Sequence, residues 1–243
     1  MKKKKVLIIG LCVAAVVILA GVITWIAIAT SNLKPNAPDL SREEIYDPKL
    51  EEFYEVIADP DSADVLYDGL SIVQQAALEF GDGALDELGY MFQDVNNDGR
   101  DELFIGCFDT DDTSSVKNDL YAGFTYDGEV LTPLFEKQKR NTFALTDTGT
   151  FYFHGSDGVA YHIVGEYELT EEEGIVCKNF YFSYPKFGDI NELEYFHNTT
   201  GEWDPEASEK VDMTFEQLEE IRKELAARTV ALDAESFSEI GKK

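Results

Sequence analysis

The first 29 residues contain the longest apolar run in the chain. After Lys2 to Lys5, positions Val6 to Ala29 are apolar apart from Thr24 and the glycines. About 20 such residues suffice for a membrane helix, whereas the apolar core of a cleaved signal peptide is usually about 7 to 15. The length points to an uncleaved anchor, although Ala27-Ile28-Ala29 also offers an A-x-A cleavage site. Leu11 before Cys12 is too large for lipid attachment. By the positive-inside rule the lysines stay in the cytoplasm and everything after Ala29 is outside. Residues 30 to 41 turn to Asn, Pro, Ser and Lys and read as a linker.

Beyond the linker the period is helical. Asp47 is a good N-cap and Pro48 fits the first helical position, with Leu50, Phe53, Tyr54 and Ile57 recurring at helical spacing through Ala58. A second amphipathic segment, from about Ser62 to Phe80, is weakened in its middle by Gly69 and ends at Gly81. After Gly89 the period changes to two. Tyr90 and Phe92 lead into a loop, and Leu103, Ile105 and Cys107 alternate on the way out. Turn signals at Asp127-Gly128, Thr148-Gly149, Asp157-Gly158 and Gly174 separate further strand-like runs, an arrangement that predicts an antiparallel meander. In the run from Val159, Tyr161, Ile163, Tyr167 and Leu169 share a packed face while His162, Glu166 and Glu168 meet water. Past Pro185 the pattern reads as irregular. A last helix begins at Thr214, with Gln217 completing a capping box and Leu218, Ile221 and Leu225 on the buried stripe.

The pattern therefore predicts an α+β fold, with helices packed on an antiparallel β meander. The expected organisation is a cytoplasmic tail and membrane anchor over 1–30, a linker over 31–46 and an extracellular α+β domain over 47–243. A propeller is excluded because only one loop signature occurs where about four or more blades would each carry their own. Charge narrows the partners: 20 basic residues face 48 acidic ones, a net of −28. Setting aside the four N-terminal lysines leaves 16 against 48, a net of −32. Such a field repels phosphate backbones, which disfavours nucleic acid, and favours cations or basic surfaces. Much of this charge serves solubility.

One acidic cluster calls for a more specific reading. In Asp94-Val95-Asn96-Asn97-Asp98-Gly99-Arg100-Asp101-Glu102-Leu103, oxygen side chains stand at positions one, three and five, glycine at six and a carboxylate at nine. The set Asp94, Asn96, Asp98, the Arg100 carbonyl and Glu102 suits Ca²⁺, which takes six to eight oxygen ligands in a flexible shell. The loop has no His or Cys for zinc. Position twelve is Ile105, so an EF-hand is excluded. A plain Asn-Asn-Asp-Gly hairpin turn is the competing reading, but it does not require Asp94 or Glu102. These ten residues resemble the D-x-[DN]-x-D-G-x-x-[DE]-L loops of integrin-type propeller repeats, and their first half is similar to the dockerin loop. In its order of membrane segment, helices, loop and Tyr- and Gly-rich β region, the chain resembles single-loop exported proteins of Gram-positive bacteria. That resemblance implies export and calcium but no activity. Asp109, Asp111 and Asp112 form a second acidic group in a Thr/Ser-rich stretch.

Catalytic candidates are few. His154, His162 and His197 lack the paired spacing of a zinc site, and Ser156 in Gly-Ser-Asp-Gly reads as a turn. Cys107 and Cys177 are the two cysteines beyond the apolar run, and either pairing or burial as thiols is open. The expected function is a non-catalytic binding or adhesion module at the cell surface, recognising a protein or glycan. The alternative is a secreted hydrolase whose carboxylates assemble only in the fold. A flat aromatic face would favour the first, and a cleft lined by two opposed carboxylates the second.

Overall fold

A computed structural model describes residues 40–63, 69–108, 116–138, 140–170 and 172–242. The chain divides into the units Met1–Ser41 and Arg42–Lys243. The apolar run and nearly all of the first unit lie outside the described residues, as do Asp109, Asp111 and Asp112. Among the described residues no helix is long and apolar enough to cross a membrane.

The second unit is α+β, with two wholly antiparallel sheets rather than one. Helices α1 (Arg42–Ala58), α2 (Leu70–Phe80) and α3 (Ala84–Glu87) precede strands β1 (Leu88–Gln93), β2 (Glu102–Cys107), β3 (Asp119–Tyr126) and β4 (Leu131–Glu136). These four strands form a meander, completed at its β1 edge by β11 (Glu235–Ser236). The second sheet follows chain order: β5 (Thr142–Leu145), β6 (Phe151–Ser156), β7 (His162–Thr170), β8 (Gly174–Lys186), β9 (Asp189–Asn198) and β10 (Glu209–Val211). Helix α4 (Phe215–Ala227) follows β10.

Strand alternation builds four layers from these elements. Leu103 and Ile105 of β2 face Phe53, Val73 and Phe237 on the helical side. Their neighbour Phe104 faces the other way, joining Leu120, Phe143, Leu145 and Phe151 between the two sheets. The far side of the second sheet, at Ala144, Tyr152 and Val164, packs on Leu218 and Ala226 of α4. The Thr214 hydroxyl accepts from Gln217 N–H and the Gln217 side chain accepts from Thr214 N–H, so the capping box forms as expected.

Several expectations need correction. Helix α1 begins at Arg42 and takes Pro48 into its interior, because the extra turn buries Tyr46 in the core. Helix α2 starts only at Leu70, since Gly69 has φ +76° and breaks the segment instead of weakening it. Both faces of β7 pack: Ile163 and Leu169 are buried on one, and Val164 is buried on the face expected to be wet, where α4 covers it. The irregular stretch past Pro185 is a long hairpin, β8–β9, closed by Phe187 and Gly188 at φ +52° and +80°. Two consecutive residues of positive φ turn the chain with the twist that flanking strands require. Cys107 and Cys177 are not joined by a disulfide; they lie in different sheets, and burial pushes the Cys177 thiol up to about 11.

Candidate functional site

The β1–β2 connection is held by hydrogen bonds from its own backbone N–H groups to its side-chain oxygens. The Asp94 carboxylate accepts the N–H groups of Asp98 (3.2 Å) and Gly99 (2.9 Å). Asn96 Oδ1 accepts Asp98 N–H at 3.0 Å, and Asp98 Oδ1 accepts Arg100 N–H at 2.8 Å. Asn97 and Gly99 take positive φ, +61° and +87°, and so wrap the backbone around the side-chain oxygens. Asn96 Nδ2 also donates to Asp98 Oδ2 at 3.3 Å, a bond that a cation on Asp98 would replace.

Glu102 enters the loop from the inside. It is fully buried, with Oε2 accepting Val95 N–H at 3.0 Å and Oε1 accepting the Thr125 hydroxyl at 3.1 Å. Burial pushes its carboxyl up to about 7 against the pull of these two bonds, and the charges of Asp98 and Asp94 add to the rise. It therefore clamps the two ends of the loop together, with its charge poorly compensated. Tyr46, which the pattern left outside the first helix, donates from its hydroxyl to the Asp101 carbonyl at 2.6 Å. Arg42 of the same helix lies over Phe92 (4.5 Å) and 3.7 Å from Asp101. Helix α1 thus holds the loop's exit.

The donor set is one of hard oxygens: the Asp94 and Asp98 carboxylates, the Asn96 amide oxygen and the Arg100 carbonyl, with Glu102 behind them. Among the described residues no three His, Cys, Asp or Glu side chains converge as a metal cage. The donor types are those that Ca²⁺ takes, and a shell built on them would be completed by water. The uncompensated charge of buried Glu102 is the feature that a cation would relieve.

A second site lies apart from the loop. A cleft of about 780 Å³ opens where β4 and the β4–β5 connection meet the second sheet. Its walls include Phe135, Phe143, Phe153, Tyr167, Phe180 and Trp203. Phe153 and Tyr167 meet edge to face at 5.9 Å, and Trp203 packs at 80° to Tyr161. In register, Gly165 stands between Phe153 of β6 and Phe180 of β8. A Cβ at Gly165 would come within 2.8 Å of the Tyr167 ring, so its absence lets the ring lie against the sheet. Cleft volume and aromatic lining match those of ordinary ligand sites.

Four charged residues line the cleft: Glu136, Lys137, Arg140 and Asp157. Glu136 accepts the Ser71 hydroxyl at 2.6 Å. Lys137 pairs with Asp119 and lies 4.4 Å from the centre of the Tyr121 ring. Asp157 and Arg140 are exposed at the rim, and among the described residues Arg140 pairs with no carboxylate. Arg140 also has φ +71°. Ser156 lines the cleft, but no histidine does. The three histidines have separate neighbours: His154 is stacked on Tyr152, His162 lies beside Phe215 and His197 beside Tyr181.

The spacing of single residues signalled the loop, whereas the cleft had no local signal because its walls come from five strands and the segment after β9. Compared with protein-family models, curated proteins and solved structures, the chain matches none.

Proposed function

We propose that the chain is a membrane-anchored, extracellular, non-catalytic binding module. Its binding site is the aromatic cleft and its calcium loop is structural. The observation that carries this reading is the cleft itself, with its six aromatic walls. A hydrolase of glycosides needs two carboxyl groups facing one bond. In this cleft Glu136 is engaged by Ser71 and Asp157 lies at the exposed rim. Ca²⁺ would be held by Asp94, Asn96, Asp98 and the Arg100 carbonyl. Glu102 would supply charge directly or through water, and the ion's contribution is to stabilise the folded form.

The test of the cleft uses the aromatic anion 8-anilinonaphthalene-1-sulfonate on the native chain. Saturable binding near one equivalent is expected, with affinity reduced at least about tenfold by Trp203→Ala at an unchanged far-UV spectrum, which corresponds to about 1.4 kcal/mol. Absence of saturable binding would remove the cleft from the account.

The anchor rests on the Val6–Ala29 run. The full chain is expected to remain with membranes after carbonate extraction, with its C-terminus open to external protease. Recovery of a soluble form beginning near Thr30 would show cleavage after Ala29 instead.

A further inference from the structure

A polar pocket of about 360 Å³ lies where the β1–β2 loop meets the β5–β6 turn, β7, β8 and the end of α4. It shares no lining residue with the aromatic cleft. Val95 and Leu169, its apolar members, are buried, so the open walls are polar. Two acids and two bases line it, Glu166, Glu168, Lys178 and Arg228, so charge cancels here in a chain of net −28. Each is already matched. Glu166 Oε1 accepts from Arg228 at 3.2 Å and from the Thr150 hydroxyl at 3.0 Å, and the Lys178 ammonium lies 3.1 Å from Glu168. Arg228 also donates to the Thr148 hydroxyl, which lies 3.2 Å from that of Thr150.

A break in the strand ladder supplies the lysine. Pairing of β7 with β8 passes from Glu166–Asn179 to Tyr167–Cys177 and leaves Lys178 without a Cα partner. Such a bulge re-aims a side chain, and here the ammonium reaches Glu168 on the pocket wall. On the loop side, the Asn97 amide makes no hydrogen bond among the described residues and offers both a donor and an acceptor.

These walls select a ligand by its chemistry. An anion would have to draw Lys178 or Arg228 from its carboxylate and a cation would have to do the reverse, each leaving a charge without its partner. An apolar group would strip water from the ion pairs and return no hydrogen bond. A hydroxyl suits both members of a pair at once. It accepts from the ammonium or guanidinium while donating to the carboxylate, and so bridges the pair without breaking it. Glu166 Oε2, the remaining Lys178 protons and the Asn97 amide are the groups left to receive it. The volume stands at the small end of ligand sites, which suits one sugar ring.

We infer that this pocket binds a neutral saccharide unit through its hydroxyl groups, which bridge the Lys178–Glu168 pair and meet the Asn97 amide. Neither the aromatic cleft nor a bound cation takes part. The test follows amide shifts of the ¹⁵N-labelled full chain, in micelles of a detergent without sugar headgroups, on titration with D-glucose, D-galactose, D-mannose and N-acetyl-D-glucosamine. At least one sugar is expected to give saturable shifts at Gly149, Thr150 and Lys178, with Kd about 1–10 mM, ordinary for so small a ligand.

Two variants separate a bridged pair from a structural one. Lys178→Glu should weaken binding at least about tenfold, because two carboxylates then face the sugar and the ammonium donor is gone. Adding Glu168→Lys exchanges the pair and should restore Kd to within about threefold of the parent, since a hydroxyl serves either sense of it. The two side chains are 38 % and 42 % exposed, so an ion pair there adds little to the fold. The proposal is overturned if no sugar saturates, if shifts appear only at the Trp203 indole of the aromatic cleft, or if inorganic phosphate or glycine saturates the site instead. A Kd indifferent to Lys178→Glu, or one that the exchanged pair fails to restore, would overturn it as well.

Discussion

Replacing Glu102 by alanine is expected to destabilise the fold by about 2–4 kcal/mol, while Glu102→Gln in chelator above pH 7 is expected to be more stable than the parent. Alanine strands the Val95 N–H and the Thr125 hydroxyl and leaves a void in a buried position. Glutamine can accept from Val95 with its oxygen and donate to Thr125 with its nitrogen, and it carries no charge. The sign of the pH effect follows from linkage. The carboxyl titrates near 4.5 in the unfolded chain and at about 7 in the folded one. Its contribution to stability is therefore complete below pH 4.5 and is lost as pH rises to about 7, a loss of about 3 kcal/mol in metal-free protein. Urea unfolding in chelator from pH 4 to 8 should show parent and Glu102→Gln diverging across that window. Parallel profiles would mean that Glu102 carries no such penalty.

Calcium is expected to reverse the penalty, and this is the second large effect. A cation held beside Glu102 favours the ionised form, so calcium should stabilise the chain more at pH 7.5 than at pH 5. At about 100 times Kd the gain is about 2.7 kcal/mol, or roughly 5–10 °C for a domain of this size. With Ile105 instead of a carboxylate at position twelve, affinity belongs to the weak extracellular class, about 10⁻⁴ to 10⁻³ M, so millimolar calcium is needed. Asp98→Ala should erase the response. In chelator it should change little, because the bonds it removes, from Arg100 N–H and Asn96 Nδ2, are exposed.

The loop was readable in the sequence because its chemistry is local: alternate oxygens, a glycine at positive φ and a carboxylate at fixed spacing. The helix after Thr214 was readable for the same reason, since a capping box spans four residues. What lay hidden depends on partners distant in sequence. Glu102 reads as a ligand, and only the packing of β2 between two layers shows both its oxygens occupied by Val95 and Thr125. The face of β7 assigned to water is covered at Val164 because α4, some fifty residues later, lies on it, while Glu168 stays half-exposed. The β8–β9 hairpin escaped notice because a phenylalanine stands where asparagine would ordinarily announce the turn. The cleft required the register of β6, β7 and β8, which places Gly165 between Phe153 and Phe180, and no window of sequence contains that juxtaposition.

Thermal unfolding of the parent and Asp98→Ala, in 10 mM (about 10–100 Kd) calcium and in chelator at pH 7.5, tests the cation loop most directly. The parent is expected to melt several degrees higher in calcium and Asp98→Ala at one temperature in both media. Equal melting temperatures for the parent would contradict the account and leave Asp94 to Glu102 as a hairpin turn.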